Sequence, residues 1–219
     1  MPIRVMLVDD QELFRSAIRV IVNAQDDLEV VGEASDGEEA VALATQVDPD
    51  VILMDIRMPG VDGVEATRRI LGNAVATGSA VKVLVLTTFN LDDRAATAIR
   101  HGASGFLLKD ITPQMLTDSI RTVHSGNGVI APEDLAALLD SSFQEKPAPP
   151  AGFTELSEKE REVFGLVAQG LSNVEIGQTI FASESTIKSH VGAILRKMGL
   201  RDRVQVVVAA YQHGLVGHQ

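Results

Sequence analysis

The chain contains no cysteine. Disulfides, thiolate nucleophiles and Cys-based zinc sites are therefore excluded, and the composition fits a reducing compartment. Aromatic residues make up only 4% of the 219 residues, but 45% are apolar, enough for ordinary aliphatic cores. No apolar run approaches the roughly 18–20 residues that cross a bilayer. The N-terminus leads into a strand-like run with no basic region or cleavage signal. A soluble cytoplasmic protein with no membrane partner is the expectation. There is no P-loop, and Gly126-Asn127-Gly128 lacks the strand-to-helix context of a dinucleotide-binding turn. The histidines, His190 included, show no metal-ligand spacing.

Positive charge is scarce as well, and its scarcity is local. Residues 1–145 hold 11 Lys/Arg against 23 Asp/Glu, whereas residues 146–219 hold 8 against 7. Within Thr186–Arg203, Lys188, Arg196, Lys197, Arg201 and Arg203 face Asp202 alone. Such asymmetry between halves signals a partner for the basic part. The length allows two small domains.

The acidic part alternates strand-like and helix-like runs. Strands are expected at Arg4–Val8, Leu28–Glu33, Val51–Met54, Lys82–Leu86 and Gly105–Leu108. Helices are expected at Gln11–Ala24, Gly37–Gln46, Gly63–Gly72, Asp92–Gly102 and Pro113–His124, the last opened by Thr112 as N-cap with proline at the first helical position. Three strands are almost wholly apolar, as strands covered on both faces are. Five strand–helix units in a row imply an α/β, doubly wound parallel sheet. Four of the strands end in polar residues: Asp9-Asp10, Asp55, Thr87-Thr88 and Lys109. In parallel alignment these meet at the edge where open α/β sheets bind ligands. Carboxylates, a hydroxyl and a lysine there suit a hard divalent cation and a phosphoryl group. Two plainer roles compete. Asp9-Asp10 could cap the helix that follows, and Lys109 could be a solvated lysine at a strand end.

Ser141–Gly152, rich in proline, reads as an extended linker, preceded by a short helix at Pro132–Asp140. Beyond it the pattern is all-helical. Ser157–Glu160 and Ser172–Glu175 fit the capping box, and Gly170 suits a helix end. Helices are expected at Glu158–Gln169, Asn173–Ile180, Glu184–Met198 and Arg203–His213. The second and third, joined by the turn Phe181-Ala182-Ser183, carry the helix-turn-helix signature.

With Asp9-Asp10, Asp55-Ile56-Arg57-Met58-Pro59, Asp62-Gly63, Thr87 and Lys109, the first part resembles bacterial response-regulator receiver domains. The run LSEKEREVFGLVAQGLSNVEI followed by SESTIKSHVGAILRKMGLRDR resembles LuxR-type helix-turn-helix domains. Together and in this order they are similar to a NarL/FixJ-type two-component response regulator over nearly the whole chain. The resemblance implies a flavodoxin-like receiver of strand order 2-1-3-4-5 at residues 1–127, a short helix and linker at 128–152, and a four-helix DNA-binding domain at 153–219.

It also implies roles. Asp55 is the phosphate acceptor. Mg²⁺ is held by Asp10 and Asp55 directly, by Asp9 through water and by the backbone carbonyl of Arg57, which neutralises the repulsion met by an attacking carboxylate. Lys109 and Thr87 contact the phosphoryl group, and Thr87 with Phe106 forms a switch pair in which Phe106 replaces the tyrosine common there. Arg57 and Phe89 flank the attacking water, and a bulky Phe89 is expected to slow dephosphorylation. In Glu184–Met198, the recognition helix, Lys188 is the expected base contact, with Ser189 on the same early face; Ser183, Thr186 and Lys197 are expected at phosphates. Gly192 departs from relatives with a polar or basic side chain there. Val204, Val207, Val208 and Tyr211 are either core or the seam of a homodimer. The implied partners are double-stranded DNA, a sensor histidine kinase and, after phosphorylation, a second copy. The leading expectation is a transcription factor whose acidic receiver restrains the DNA-binding part until Asp55 is phosphorylated. The chain is not expected to be an enzyme beyond its own phosphorylation and dephosphorylation. A phosphorylation-independent DNA-binding protein and a Mg²⁺-dependent phosphotransferase on small molecules are the alternatives.

Overall fold

A computed structural model of the chain describes residues 1–87, 93–127 and 148–215. The expected helix at Pro132–Asp140, most of the linker, and Thr88 and Phe89 lie outside the described residues. The chain divides into two compact units, Met1–Val129 and Ile130–Gln219.

In the first unit, β1 (Ile3–Val8), β2 (Leu28–Ala34), β3 (Val51–Asp55), β4 (Lys82–Thr87) and β5 (Gly105–Leu108) form one parallel sheet of order β2-β1-β3-β4-β5. Every residue of β3 is buried, which explains why it reads as an unbroken apolar run. One sheet face carries Val5, Leu7, Val51, Leu53, Leu84, Leu86 and Leu107. They share a core with Ile18 and Val22 of α1 (Glu12–Asn23) and with Leu116, Ile120 and Val123 of α5 (Pro113–His124). On the other side, α2 (Gly37–Val47) packs on β1 and β2, α3 (Gly63–Thr77) on β3 and α2, and α4 (Asp93–Arg100) on β4 and α3.

Most helix ends follow local chemistry. Asp36, Asp62 and Thr112 cap α2, α3 and α5 through side-chain oxygens. α3 departs from its expected end at Gly72 and runs on to Gly78, the residue in the left-handed region at φ 74°. Ala74, beyond Gly72, is buried, so packing carries the helix through the glycine.

The second unit contains α6 (Ala151–Thr154), α7 (Glu158–Ala168), α8 (Asn173–Thr179), α9 (Glu184–Met198) and α10 (Arg203–Gln212). Both capping boxes are formed, at Ser157/Glu160 and Ser172/Glu175. The four expected helices are thus joined by a fifth, the one-turn α6, which lies in part of the segment read as extended linker. Two contacts fix it. Phe153 meets Phe164 edge to face, with centroids 5.2 Å apart, and Gly152 lies so close to the backbone of Lys197 and Met198 that a side chain there would collide. Pro150 is the N-cap of this helix rather than part of an extended strap, so the linker ends two residues before Gly152.

Candidate functional site: an acidic pocket and a helix-turn-helix

The parallel register aligns the strand ends. Val8 pairs with Met54, Asp55 with Leu86 and Thr87 with Leu108. The residues at or just past those ends are brought together as the alternating pattern requires. Asp9 and Asp55 are buried at 2% and 4% exposure, while Asp10 is exposed. Carboxylate oxygens of the three lie within 4.8 Å of one another. Lys109 Nζ stands 2.5 Å from Asp9 Oδ2 and 3.0 Å from Asp55 Oδ2, with its side chain only 8% exposed. It also lies over the ring of Phe14, 4.7 Å from the centroid, a cation–π contact. Phe14 belongs to the set that holds the lysine, and nothing in sequence spacing links it to Lys109.

Neither plainer role accounts for the geometry. The N-cap of α1 is Gln11, and no side chain caps that helix; Asp9 instead accepts a 2.9 Å hydrogen bond from Gln11 N within its own turn. Lys109 is buried and doubly paired, not solvated.

The electrostatics are unbalanced. Burial pushes the Asp55 carboxyl above the ordinary aspartate value, with the nearby Asp9 charge adding to the rise. Lys109 and the Arg57 N–H, 3.3 Å from Asp55 Oδ1, only partly offset it. A dense set of carboxylate oxygens with Lys109 among them is the donor chemistry that a hard divalent ion completes. The residues present therefore fit Mg²⁺.

Two further features shape the pocket. Arg15 Nη1 donates to Asp9 O at 2.5 Å, holding the loop that carries the acidic pair. Gly63 N donates to Ile56 O at 3.0 Å, and a Cβ on Gly63 would strike the carbonyl of Asp55. The loop after β3 is thereby folded tightly against the acceptor position. Thr87 is buried at 2% exposure and Phe106 is half-buried. Thr87 pairs with Leu108, and Phe106 with Val85. By strand alternation Thr87 and Phe106 lie on one face of the sheet.

In the second unit, α8, the turn and α9 form the helix-turn-helix. Ser183 caps α9, accepting from Thr186 N, and its hydroxyl lies 2.8 Å from Thr186 Oγ1. Thr186, Lys188 and Ser189 are exposed on the early turns, and Gly192 is exposed with open space where a side chain would stand. Ile187 and Ile194 are buried, with Val191 and Leu195 packed against the same core. Lys197 is placed otherwise than expected. Its ammonium lies 2.6 Å from Glu160 Oε2 and donates to Glu155 O at 3.2 Å. Glu160 is the same carboxylate that closes the capping box of α7. Lys197 therefore clasps α9 to the start of α7 and is not free for a phosphate. Its chain position, in the last turn of a basic helix, gave no sign of this. Val204, Val207 and Val208 are buried and Tyr211 is half-buried.

Comparison with known proteins decides what this pair of sites is. Residues 5–121 match the response regulator receiver domain and residues 154–210 the bacterial regulatory proteins of the luxR family. The chain is a two-component response regulator with a LuxR-type output domain. Among its relatives, this response regulator is 42% identical to the transcriptional regulatory protein YxjL of Bacillus subtilis, over 98% of this chain and 97% of that one. It is 39% identical to LiaR of the same organism, over 98% and 99%, and 37% identical to the response regulator VraR of Staphylococcus aureus, over 99% and 100%. Among solved structures it resembles the response regulator ChrA of a heme-sensing two-component system, with a TM-score of 0.51 and 35% identity over 98% and 99% of the two chains. It also resembles a LuxR-family response regulator from Aurantimonas, with a TM-score of 0.56 and 31% identity over 64% and 98%. YxjL and LiaR are transcriptional regulatory proteins, and VraR and ChrA are response regulators. Among the described residues no helix is long and apolar enough to cross a membrane.

Proposed function

We propose that this response regulator is a cytoplasmic transcription factor switched by phosphoryl transfer from a sensor histidine kinase to Asp55. The observation that carries the reading is the Asp55 carboxylate, buried at a strand end, 3.0 Å from Lys109 and within 4.8 Å of Asp9 and Asp10 oxygens. Asp10 and Asp55 would hold Mg²⁺ directly, Asp9 through water, and Arg57 through its backbone carbonyl. When bound, Mg²⁺ supplies the charge neutralisation and Lewis acidity that let an anion approach a phosphoryl group.

The chain's own residues do the rest. An Asp55 oxygen forms the bond to phosphorus while the phosphorus–nitrogen bond of the donor breaks, and the departing imidazole keeps the electron pair and takes up a proton. Lys109 exchanges its carboxylate partners for the phosphoryl oxygens as a point charge. Thr87 donates its hydroxyl to the same group. Phe106, on the same sheet face as Thr87, then follows that movement inward, and the receiver changes state.

In the output domain, Lys188 reads base edges, Ser189 lies on the same face, and Ser183 and Thr186 meet phosphates. Lys197, held by Glu160, is not among these phosphate contacts. The unphosphorylated acidic receiver restrains the DNA-binding unit. Phosphorylation releases it and favours a homodimer on a repeated half-site, as a domain with so few positive charges needs for adequate affinity; Val204, Val207 and Val208 are already buried within the chain, so Tyr211 is the member of that set left for the seam. The test is the intact mass after incubation with acetyl phosphate and Mg²⁺. One added phosphoryl group in the wild type, absent in Asp55→Asn and absent without Mg²⁺, is the expected result. No addition to the folded wild type overturns the phosphorylation step.

A further inference from the structure

The turn of the helix-turn-helix holds a residue that neither its backbone nor the core accounts for. Phe181 sits in the left-handed region at φ 55°, a conformation that is uncommon for a bulky side chain and that Asn or Gly takes at lower cost. Its ring is 97% exposed, so no burial within the chain offsets that cost. The conformation is imposed by the turn. Ile180 N donates to Ile176 O at 3.0 Å, and Ala182 N donates to Gly177 O at 2.9 Å. Gly177 lies so close to this turn that an added Cβ would stand 2.6 Å from Ala182 O. The turn has no slack, and whatever residue stands at 181 is held out into solvent.

What surrounds the ring in sequence indicates what covers it. Phe181 is two residues ahead of Ser183, the N-cap of α9, and the exposed Thr186, Lys188 and Ser189 follow within the next two turns. The N-terminal end of a recognition helix is the part that enters the major groove. An aromatic ring fixed at that end is at the margin of the duplex, where DNA offers apolar surface in thymine methyl groups and deoxyribose rings. We propose that Phe181 is a DNA-contacting residue, its ring packing on such apolar surface of the bound duplex beside the recognition helix. The inference rests on the DNA-binding reading above and adds to it a contact that carries no charge.

That last property gives the test. A duplex is selected from a random pool with the full chain treated with acetyl phosphate and Mg²⁺, and binding is then measured across a salt series for the wild type, Phe181→Asn, Phe181→Tyr and Lys188→Ala. Phe181→Asn accommodates the backbone, so its melting temperature is expected to equal or exceed that of the wild type, while affinity falls about tenfold, the size expected from partial burial of a phenyl ring against apolar surface. Because no phosphate contact is lost, the dependence of log K on log salt keeps its slope. Phe181→Tyr keeps the ring and its apolar area and stays within about twofold of the wild type. Unchanged affinity in Phe181→Asn, with Lys188→Ala weakened, overturns the ring contact alone. A loss in Phe181→Asn accompanied by a shallower salt slope also overturns it, since the ring would then be supporting phosphate ligands. A wild-type chain that selects no duplex removes the DNA-binding reading and this inference with it.

Discussion

Asp55 is a residue whose environment disfavours its charge. Its pKa is raised chiefly by burial, so the folded state holds the proton more tightly than the unfolded one. The sign follows from linkage. The stabilising effect of this group is present at low pH and is lost as pH rises past the ordinary aspartate value and through the raised one. At neutral pH the metal-free pocket therefore carries an unfavourable charge. Millimolar Mg²⁺ is expected to raise the melting temperature of the wild type. Asp55→Asn in EDTA is expected to melt no lower than the wild type and to lose most of the Mg²⁺ response; a melt of the wild type indifferent to Mg²⁺ would contradict this account of the pocket. Gly63 makes a second case at this scale. Gly63→Ala places a methyl group against the carbonyl of Asp55, and overpacking of this kind costs about 1–3 kcal/mol. Urea unfolding of the receiver should show a loss in that range. Lys109 was legible from its place after a strand, but its seat over Phe14 was not, because that contact joins residues distant in sequence through the fold.

The informative element is α9, which exposes the face proposed for DNA and has one end anchored to α7. The Glu160–Lys197 pair at 2.6 Å ties its last turn to the capping box. Lys197 first, and the Ser157 backbone second, hold the Glu160 carboxyl at about 2. Its contribution to stability is thus present above the ordinary glutamate range and is lost as pH falls from there through about 2. In Lys197→Met that loss should move to higher pH, visible as an earlier acid transition by circular dichroism. The same variant separates anchoring from DNA contact. A phosphate ligand would lower the salt slope of binding by about 1 when removed, whereas Lys197→Met is expected to weaken binding with the slope unchanged. Gly192 is the opposite kind of position, exposed with open space around it. Gly192→Ala should stabilise the unit by about 1 kcal/mol, the helix-propensity difference, measured as the change in denaturant midpoint.

At the scale of the whole molecule, the contrast between an acidic receiver and a basic recognition helix supports restraint of one by the other. If restraint is the switch, the output domain alone should bind DNA without any phosphodonor. The fold decides where that fragment begins. Gly152 and Phe153 pack within the second unit, so a fragment starting at Ala148 keeps α6 intact, whereas one starting at Gly152 cuts into it. Failure of the Ala148–Gln219 fragment to bind a duplex that the phosphorylated full chain binds would place dimerisation by the receiver, rather than release, at the centre of the switch.

Among the described residues, sequence by itself determined the five strands, their order and every helix except the one-turn α6. Alternation of buried runs and capped helices is a local property, written in residue type and spacing, and so are the two capping boxes, the Thr112-Pro113 helix start and the sheet edge at which Asp9, Asp55, Thr87 and Lys109 emerge. Tertiary structure decided which of the candidate side chains are available. Lys188 and Lys197 look alike on one basic helix, yet only one is exposed, because only the other meets a carboxylate from α7. Gly72 and Gly78 look alike as helix ends, yet the burial of Ala74 carries α3 past the first. Phe181 reads as an ordinary turn residue until the turn's hydrogen bonds fix it outward. For Lys197 the deciding energy is a contact between residues far apart in sequence, for Gly72 it is burial of the next turn, and for Phe181 it is a backbone conformation fixed by the turn's own hydrogen bonds; periodicity along the chain encodes none of them.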